Sequence, residues 1–121
     1  MKKILIVEDD DDYRKLLARK LNKSGYMTFS STNGQEALRF LKKKTVDLIV
    51  LDLIMKKMNG LEFYEKIEKE TNKETPILIL SNIQLSNINE LVTKPQIEGY
   101  LIKANTSLAK VIDKIESVLL N

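Results

Sequence analysis

Three short apolar runs, Ile4 to Val7, Val46 to Leu51 and Ile77 to Leu80, constrain the fold more than any other feature. Apart from Asp47 near the start of the second, they are continuous rather than alternating, the pattern of strands covered on both faces, and such strands belong to parallel sheets packed between helices. The intervening segments carry helical spacing: Tyr13, Leu16, Leu17 and Leu21; Ala37, Leu38 and Leu41; Leu61, Tyr64 and Ile67; and Leu108, Val111, Ile112, Ile115, Val118 and Leu119. Weaker strands over Met27 to Ser30 and Gly99 to Ile102 complete an alternation of β and α. This predicts an α/β fold, a doubly wound five-stranded parallel sheet with five helices, as a single domain over residues 1–121 with no output domain. The fourth helical segment, around Asn87 to Lys94, is the weakest, since Pro95 cuts short a stretch whose apolar residues are Ile88, Leu91 and Val92.

Punctuation agrees with these boundaries. Gly25 ends the first helix, Asn33 with Glu36 three residues on reads as a capping box, Gly60 opens the third helix and Pro76 precedes a strand. One of Asp10, Asp11 and Asp12 is expected to cap the first helix, with the others favoured by its N-terminal dipole. Met55 and Met58 read as packing residues.

Composition removes whole classes of chemistry. With no Cys and no His among 121 residues, the chain has no disulfide framework, thiol nucleophile, zinc site of the usual kind or Ser-His triad. Carboxylates, lysines and hydroxyls must carry whatever chemistry exists. The net charge is +3, yet five of the 17 acids stand together as Glu8-Asp9-Asp10-Asp11-Asp12, so the remainder is markedly basic. An acidic knot on a basic body suggests a cation site. The lysines at 42–44 and 56–57 lack interleaved aromatics and read as solvated faces, so no direct nucleic-acid contact is expected. No apolar run is long enough to span a bilayer and no signal peptide is visible, which predicts a cytoplasmic protein without membrane insertion.

In doubly wound sheets ligands bind beyond the carboxyl ends of the strands, so the residues that follow each strand are the candidates. Glu8 and Asp9 follow the first, Asp52 the third, Ser81 the fourth and Lys103 the fifth. A carboxylate directly after Leu48-Ile49-Val50-Leu51 is costly to desolvate, and neighbouring acids repel it further. A divalent metal and Lys103 would relieve that. Hard oxygen donors without His or Cys point to magnesium, or manganese, which takes one or two carboxylates, waters and a phosphoryl oxygen. Taken alone, any of these residues could simply begin a turn or sit on the surface. Their recurrence at corresponding strand ends argues otherwise.

The segments Ile-Leu-Ile-Val-Glu-Asp-Asp, Leu-Asp-Leu-Ile-Met-Lys-Lys-Met-Asn-Gly, Leu-Ser-Asn and Gly-Tyr-Leu-Ile-Lys, spread over essentially the whole chain, resemble the receiver domain of two-component response regulators. The resemblance implies a flavodoxin-like strand order 2-1-3-4-5 and makes Asp52 the phosphoacceptor. Glu8 and Asp9 become the acidic pair that holds Mg2+ directly or through water, together with Asp52 and the Ile54 backbone carbonyl. Ser81 and Lys103 contact the phosphoryl oxygens. Tyr100 corresponds to the family's switch aromatic, the other reading being an ordinary half-buried tyrosine. Ile54 and Ile83 occupy the positions that flank the attacking water in dephosphorylation. Both are apolar and cannot orient that water, which predicts slow loss of phosphate.

The implied function is a stand-alone receiver, phosphorylated from a sensor histidine kinase or phosphotransfer protein. It signals by altered binding of a downstream protein at the face of the fourth helix, fifth strand and fifth helix. It would catalyse its own phosphorylation and slow dephosphorylation without being a multiple-turnover enzyme in the usual sense. Three alternatives compete with this reading. A phosphatase of the haloacid-dehalogenase type needs a second Asp two residues after the first, where Ile54 stands. A nucleotide-binding domain needs a Gly-rich turn after the first strand, and none is present. A receiver-like interaction domain indifferent to phosphate stays open, because Lys56 and Ala104 replace prolines usual in the family. A cis bond before Ala would cost about 2.5 to 4 kcal/mol, so a trans Lys103–Ala104 peptide is expected. Asn82 also departs from the pattern, standing where a small residue is usual.

Overall fold

The computed structural model describes residues 1–55, 58, 60–67, 74–83 and 89–120. Lys56, Lys57, Asn59 and the start of the predicted fourth helix, including Asn87 and Ile88, lie outside them. The elements run β1 (Lys3–Val7), α1 (Asp11–Lys23), β2 (Met27–Ser31), α2 (Gly34–Leu41), β3 (Leu48–Leu51), α3 (Gly60–Ile67), β4 (Ile77–Ser81), α4 (Asn89–Val92), β5 (Ile97–Ile102) and α5 (Leu108–Leu120). All strand pairs are parallel, in the order β2-β1-β3-β4-β5. The expected α/β architecture and strand order are therefore present.

The continuous apolar runs are explained by two cores, one on each face of the sheet. Leu5, Val7, Ile49, Leu51, Ile77 and Ile79 point to one face and pack with Ala37, Leu38 and Leu41 of α2, Phe63, Tyr64 and Ile67 of α3, and Leu91 of α4. Ile4, Ile6, Leu48, Val50, Leu78 and Leu80 point to the other and meet Leu17 and Leu21 of α1 and Val111 and Ile115 of α5. Successive strand residues face opposite sides, so both parities must be apolar, and each fully buried side chain of this kind contributes about 1.5–3 kcal/mol. Met58 is buried in the α2–α3 layer and Met55 packs against it.

β1, β2 and β4 each differ from the sequence reading by one residue at one end, and three local details differ more. β3 begins at Leu48, because Asp47 turns its carboxylate to accept the Lys3 amide at 2.8 Å. β5 begins earlier, at Ile97, and its pairing with β4 skips from Ile77↔Ile97 to Leu78↔Gly99, so Glu98 is the extra residue of a bulge. The capping box of α2 is displaced: the Glu36 amide donates to Asn33 Oδ1 at 3.0 Å, but the Glu36 carboxylate reaches back to the amide and hydroxyl of Thr32, one residue before the cap. Asp10 caps α1, its Oδ1 accepting from the Tyr13 amide at 3.1 Å. At the other end Gly25, at φ 97°, lets the Tyr26 and Gly25 amides close back on the Leu21 and Asn22 carbonyls.

Gly60 has a different reason to be glycine. A Cβ there would lie 2.3 Å from Leu53 Cδ2, 2.7 Å from Leu53 Cα and 3.2 Å from the Asp52 carbonyl oxygen. Two of these are backbone atoms that cannot swing aside. At Gly25 a Cβ would meet nothing within 4 Å, leaving only the backbone conformational cost. We expect Gly25→Ala to cost about 1 kcal/mol and Gly60→Ala about 2 kcal/mol or more in urea denaturation. Equal costs would show that the chain after Asp52 yields easily.

Candidate functional site at the carboxyl edge of the sheet

Register alone assembles the site. Val7 pairs with Leu51, Leu51 with Ile79, and Ser81 with Ile102, so Glu8, Asp52, Ser81 and Lys103 emerge at nearly one level along the same edge. The Asp52 amide still donates to the Val7 carbonyl at 3.1 Å, and the Glu8 amide to the Ser31 carbonyl at 3.0 Å, which fixes both backbones.

Lys103 joins the acids. Its Nζ lies 2.5 Å from Glu8 Oε1 and 3.0 Å from Asp52 Oδ2. Both carboxylates are buried, Glu8 at 3% and Asp52 at 6% exposure. The second oxygen of each is also engaged: Asp52 Oδ1 accepts from the Ile54 amide at 3.0 Å and Glu8 Oε2 from the Asp10 amide at 3.1 Å. Carboxylate oxygens of Glu8, Asp9 and Asp52 lie within 4.8 Å of one another. Burial pushes Glu8 up to about 7, with the Asp52 charge adding to the effect, although the Lys103 hydrogen bond opposes it. Burial also disfavours the Lys103 charge, but its hydrogen bonds to Glu8 and Asp52 outweigh this and hold the ammonium above the usual lysine range.

Three acids facing one ammonium leave negative charge in surplus, and all their donors are hard oxygens. That set fits a divalent cation of the magnesium type. Glu8, Asp9 and Asp52 are the side chains that could hold it.

Ser81 is fully buried, and its hydroxyl oxygen accepts from the Ile83 amide at 3.4 Å. Tyr100 is half-buried against the α2–α3 layer and its hydroxyl donates to the Ile83 carbonyl. Ile54 is 54% exposed beside Asp52, whereas Ile83 packs against the same layer as Tyr100. The Lys103–Ala104 peptide is trans, as expected with Ala in that place.

The sequence reading missed two residues that shape the site. Arg14 is buried and clamps the acidic loop, Nη1 donating to the Glu8 carbonyl at 2.9 Å and Nη2 to Asp11 Oδ1 at 2.6 Å. The three-residue spacing of Asp11 and Arg14 on one helix was the available signal. Tyr13, read only as part of an apolar stripe, places its ring 5.0 Å from Lys103 Nζ, a cation–π distance. Its hydroxyl is buried without a hydrogen-bond partner among the described residues.

A parallel sheet of this order, with an acidic trio, a hydroxyl and a lysine at its carboxyl edge, defines a class that comparison makes specific. The chain belongs to the response regulator receiver domain family, whose model matches residues 4–116. It is 33% identical over 118 residues to a probable transcriptional regulator, ycf27, of Cyanidium caldarium, covering 96% of this chain and 45% of that protein. It is 27% identical to the response regulator receiver protein CpdR of Brucella abortus, covering 99% of this chain and 98% of that one. It thus spans less than half the length of the ycf27 proteins and nearly all of CpdR. Among solved structures it resembles the response regulator TrrA of Thermotoga maritima in complex with Mg2+-BeF, at 29% identity and TM-score 0.82, covering 98% of this chain and 99% of that one. It also resembles the chemotaxis protein CheY4 of Vibrio cholerae, at 27% identity and TM-score 0.87, covering 98% of each chain. No helix among the described residues is long and apolar enough to cross a membrane.

The orphaned hydroxyl of Tyr13 gives a direct test. Tyr13→Phe keeps the ring beneath the ammonium and removes the unpaired polar group, so it is expected to raise stability by about 1 kcal/mol in urea denaturation. Tyr13→Leu also loses the ring and should fall below the Phe variant by about 0.5–2 kcal/mol. A destabilised Phe variant would mean that the hydroxyl has a partner after all.

Proposed function

We propose that Asp52 accepts a phosphoryl group from the phosphohistidine of a sensor histidine kinase or phosphotransfer protein, and that the modified domain signals by changing its affinity for a downstream protein. The observation that carries this reading is the convergence of the buried Asp52 and Glu8 with Asp9 and Lys103 in one cluster at the carboxyl edge of the sheet. A carboxylate is ionised without a general base, so its oxygen can attack phosphorus as the bond to the donor nitrogen breaks, leaving an acyl phosphate. Lys103 then faces the negative charge on the phosphoryl oxygens, and the Ser81 O–H can donate to one of them. Bound by Glu8, Asp9, Asp52 and the Ile54 carbonyl, Mg2+ would neutralise phosphoryl charge. The Mg2+-BeF complex of the Thermotoga relative supports that assignment. We place the protein in the cytoplasm, with partner contact at the face of α4, β5 and α5, where Tyr100 would report the state of Ser81.

The test is intact-mass spectrometry after incubation with a small-molecule phosphodonor, with and without Mg2+. One added phosphoryl group is expected, requiring both Mg2+ and Asp52, so Asp52→Ala stays unmodified. Failure with both the small donor and a kinase would favour an interaction domain indifferent to phosphate.

The lifetime of the adduct follows from Ile54. Its exposed apolar side chain offers no hydrogen bond to an incoming water, so the phosphorylated state is expected to persist for minutes or longer, and Ile54→Asn to shorten it several-fold. Decay of the phosphorylated mass after donor removal measures this, and an unchanged half-life in Ile54→Asn would remove Ile54 from the rate-setting step.

A further inference from the structure

Two of the positions that depart from the family pattern, Asn82 and Ala104, meet in one hydrogen bond. The Ala104 amide donates to Asn82 Oδ1 at 2.7 Å, across 22 residues of sequence. Each lies directly after a group of the pocket: Asn82 follows Ser81, and Ala104 follows Lys103. The β4–β5 ladder ends with the pair Ser81↔Ile102. One step further on, the Asn82 side chain does for the two loops what the ladder does for the strands. The turn Lys103–Asn105 has a second anchor, Thr106 Oγ1 donating to the Ile102 carbonyl at 2.8 Å, but that bond is local and says nothing of where the turn sits relative to Ser81.

The chemistry of the pair is specific. Residue 104 can donate only because it has an N–H, which proline lacks, and residue 82 can accept only because its side chain carries a carbonyl of the right length. Both residues are exposed, so neither is needed to fill a core.

We propose that Asn82 is a positioning residue for the phosphoryl-accepting site, tying the Lys103 turn to the Ser81 loop so that ammonium and hydroxyl meet Asp52 in a fixed mutual arrangement. This rests on the reading of Asp52 as phosphoacceptor. The competing role for Asn82 is a steric one, as a side chain that narrows the way to Asp52, and the two roles differ in sign for one substitution. Asn82→Ala removes both the acceptor and the bulk, and Asn82→Leu removes the acceptor and keeps the bulk.

The experiment measures phosphorylation rates of the full chain with phosphoramidate at saturating Mg2+, alongside hydrogen exchange of the Ala104 amide and Mg2+ affinity. If the tie positions the site, Asn82→Ala and Asn82→Leu both slow the maximal rate by about threefold to tenfold, the span expected of one hydrogen bond. The Ala104 amide then exchanges faster in both. Mg2+ affinity stays within about twofold, because the bond touches none of the acids. Ala104→Pro, which deletes the donor, adds no further loss in the Asn82→Ala background. A rate that rises in Asn82→Ala overturns the proposal in favour of the steric role, and a full additional loss from Ala104→Pro overturns it by showing that the amide acts apart from Asn82. If the wild-type chain takes no phosphoryl group, the reading of Asp52 fails and the positioning role falls with it. If the wild type is phosphorylated and Asn82→Ala matches it, only the positioning role fails.

Discussion

The ion pair network of Lys103 with Glu8 and Asp52 is the interaction on which the site depends. Two carboxylates almost wholly out of solvent repel each other and resist losing their hydration, and burial holds Glu8 above the usual carboxylate range even with the ammonium beside it. The ammonium of Lys103 arrives from the far side of β4, 51 residues from Asp52 and 95 from Glu8 in sequence, and lies within hydrogen-bonding distance of both. The parallel sheet, with β1 and β3 adjacent and β5 beyond β4 on the side away from β3, brings all three ends to one edge. The fold is in this sense a device for holding like charges together, with the backbone amides of Asp10 and Ile54 supplying the remaining hydrogen bonds.

The architecture was legible in the sequence because two-sided burial leaves an unmistakable trace. No polar residue interrupts Ile4 to Val7 or Ile77 to Leu80, and Glu8 and Ser81 stand immediately outside those runs. The helix ends were legible for the same reason, since Asp10, Gly25 and Asn33 act within a few residues of themselves. The structure departs from the reading where a longer-range partner decides the outcome. Asp47 leaves β3 because it faces Lys3, and Glu98 bulges from β5 because of the register with β4.

The same distinction governs the site. Asp52, Glu8, Asp9 and Lys103 could be gathered from strand ends alone, whereas Tyr13 and Arg14 could not. An aromatic in an apolar stripe gives no sign that its ring faces a lysine ninety positions away. An arginine three residues after an aspartate looks like an exposed helical pair until its other nitrogen is seen on the Glu8 carbonyl. Asn82 and Ala104 were visible singly as departures from a pattern, but their hydrogen bond belongs to three-dimensional space.

The two cores meet at this edge from opposite sides. Lys103 rests against Tyr13, which packs with the α1–α5 layer, while Ile83 and Tyr100, the partners of the Ser81 region, pack with the α2–α3 layer. The charged half and the hydroxyl half of one pocket are thus rooted in separate hydrophobic compartments, with the sheet as the wall between them. Sequence drift in either compartment therefore reaches the site through its own half first, and the Asn82–Ala104 hydrogen bond is where one half can hand its shift to the other.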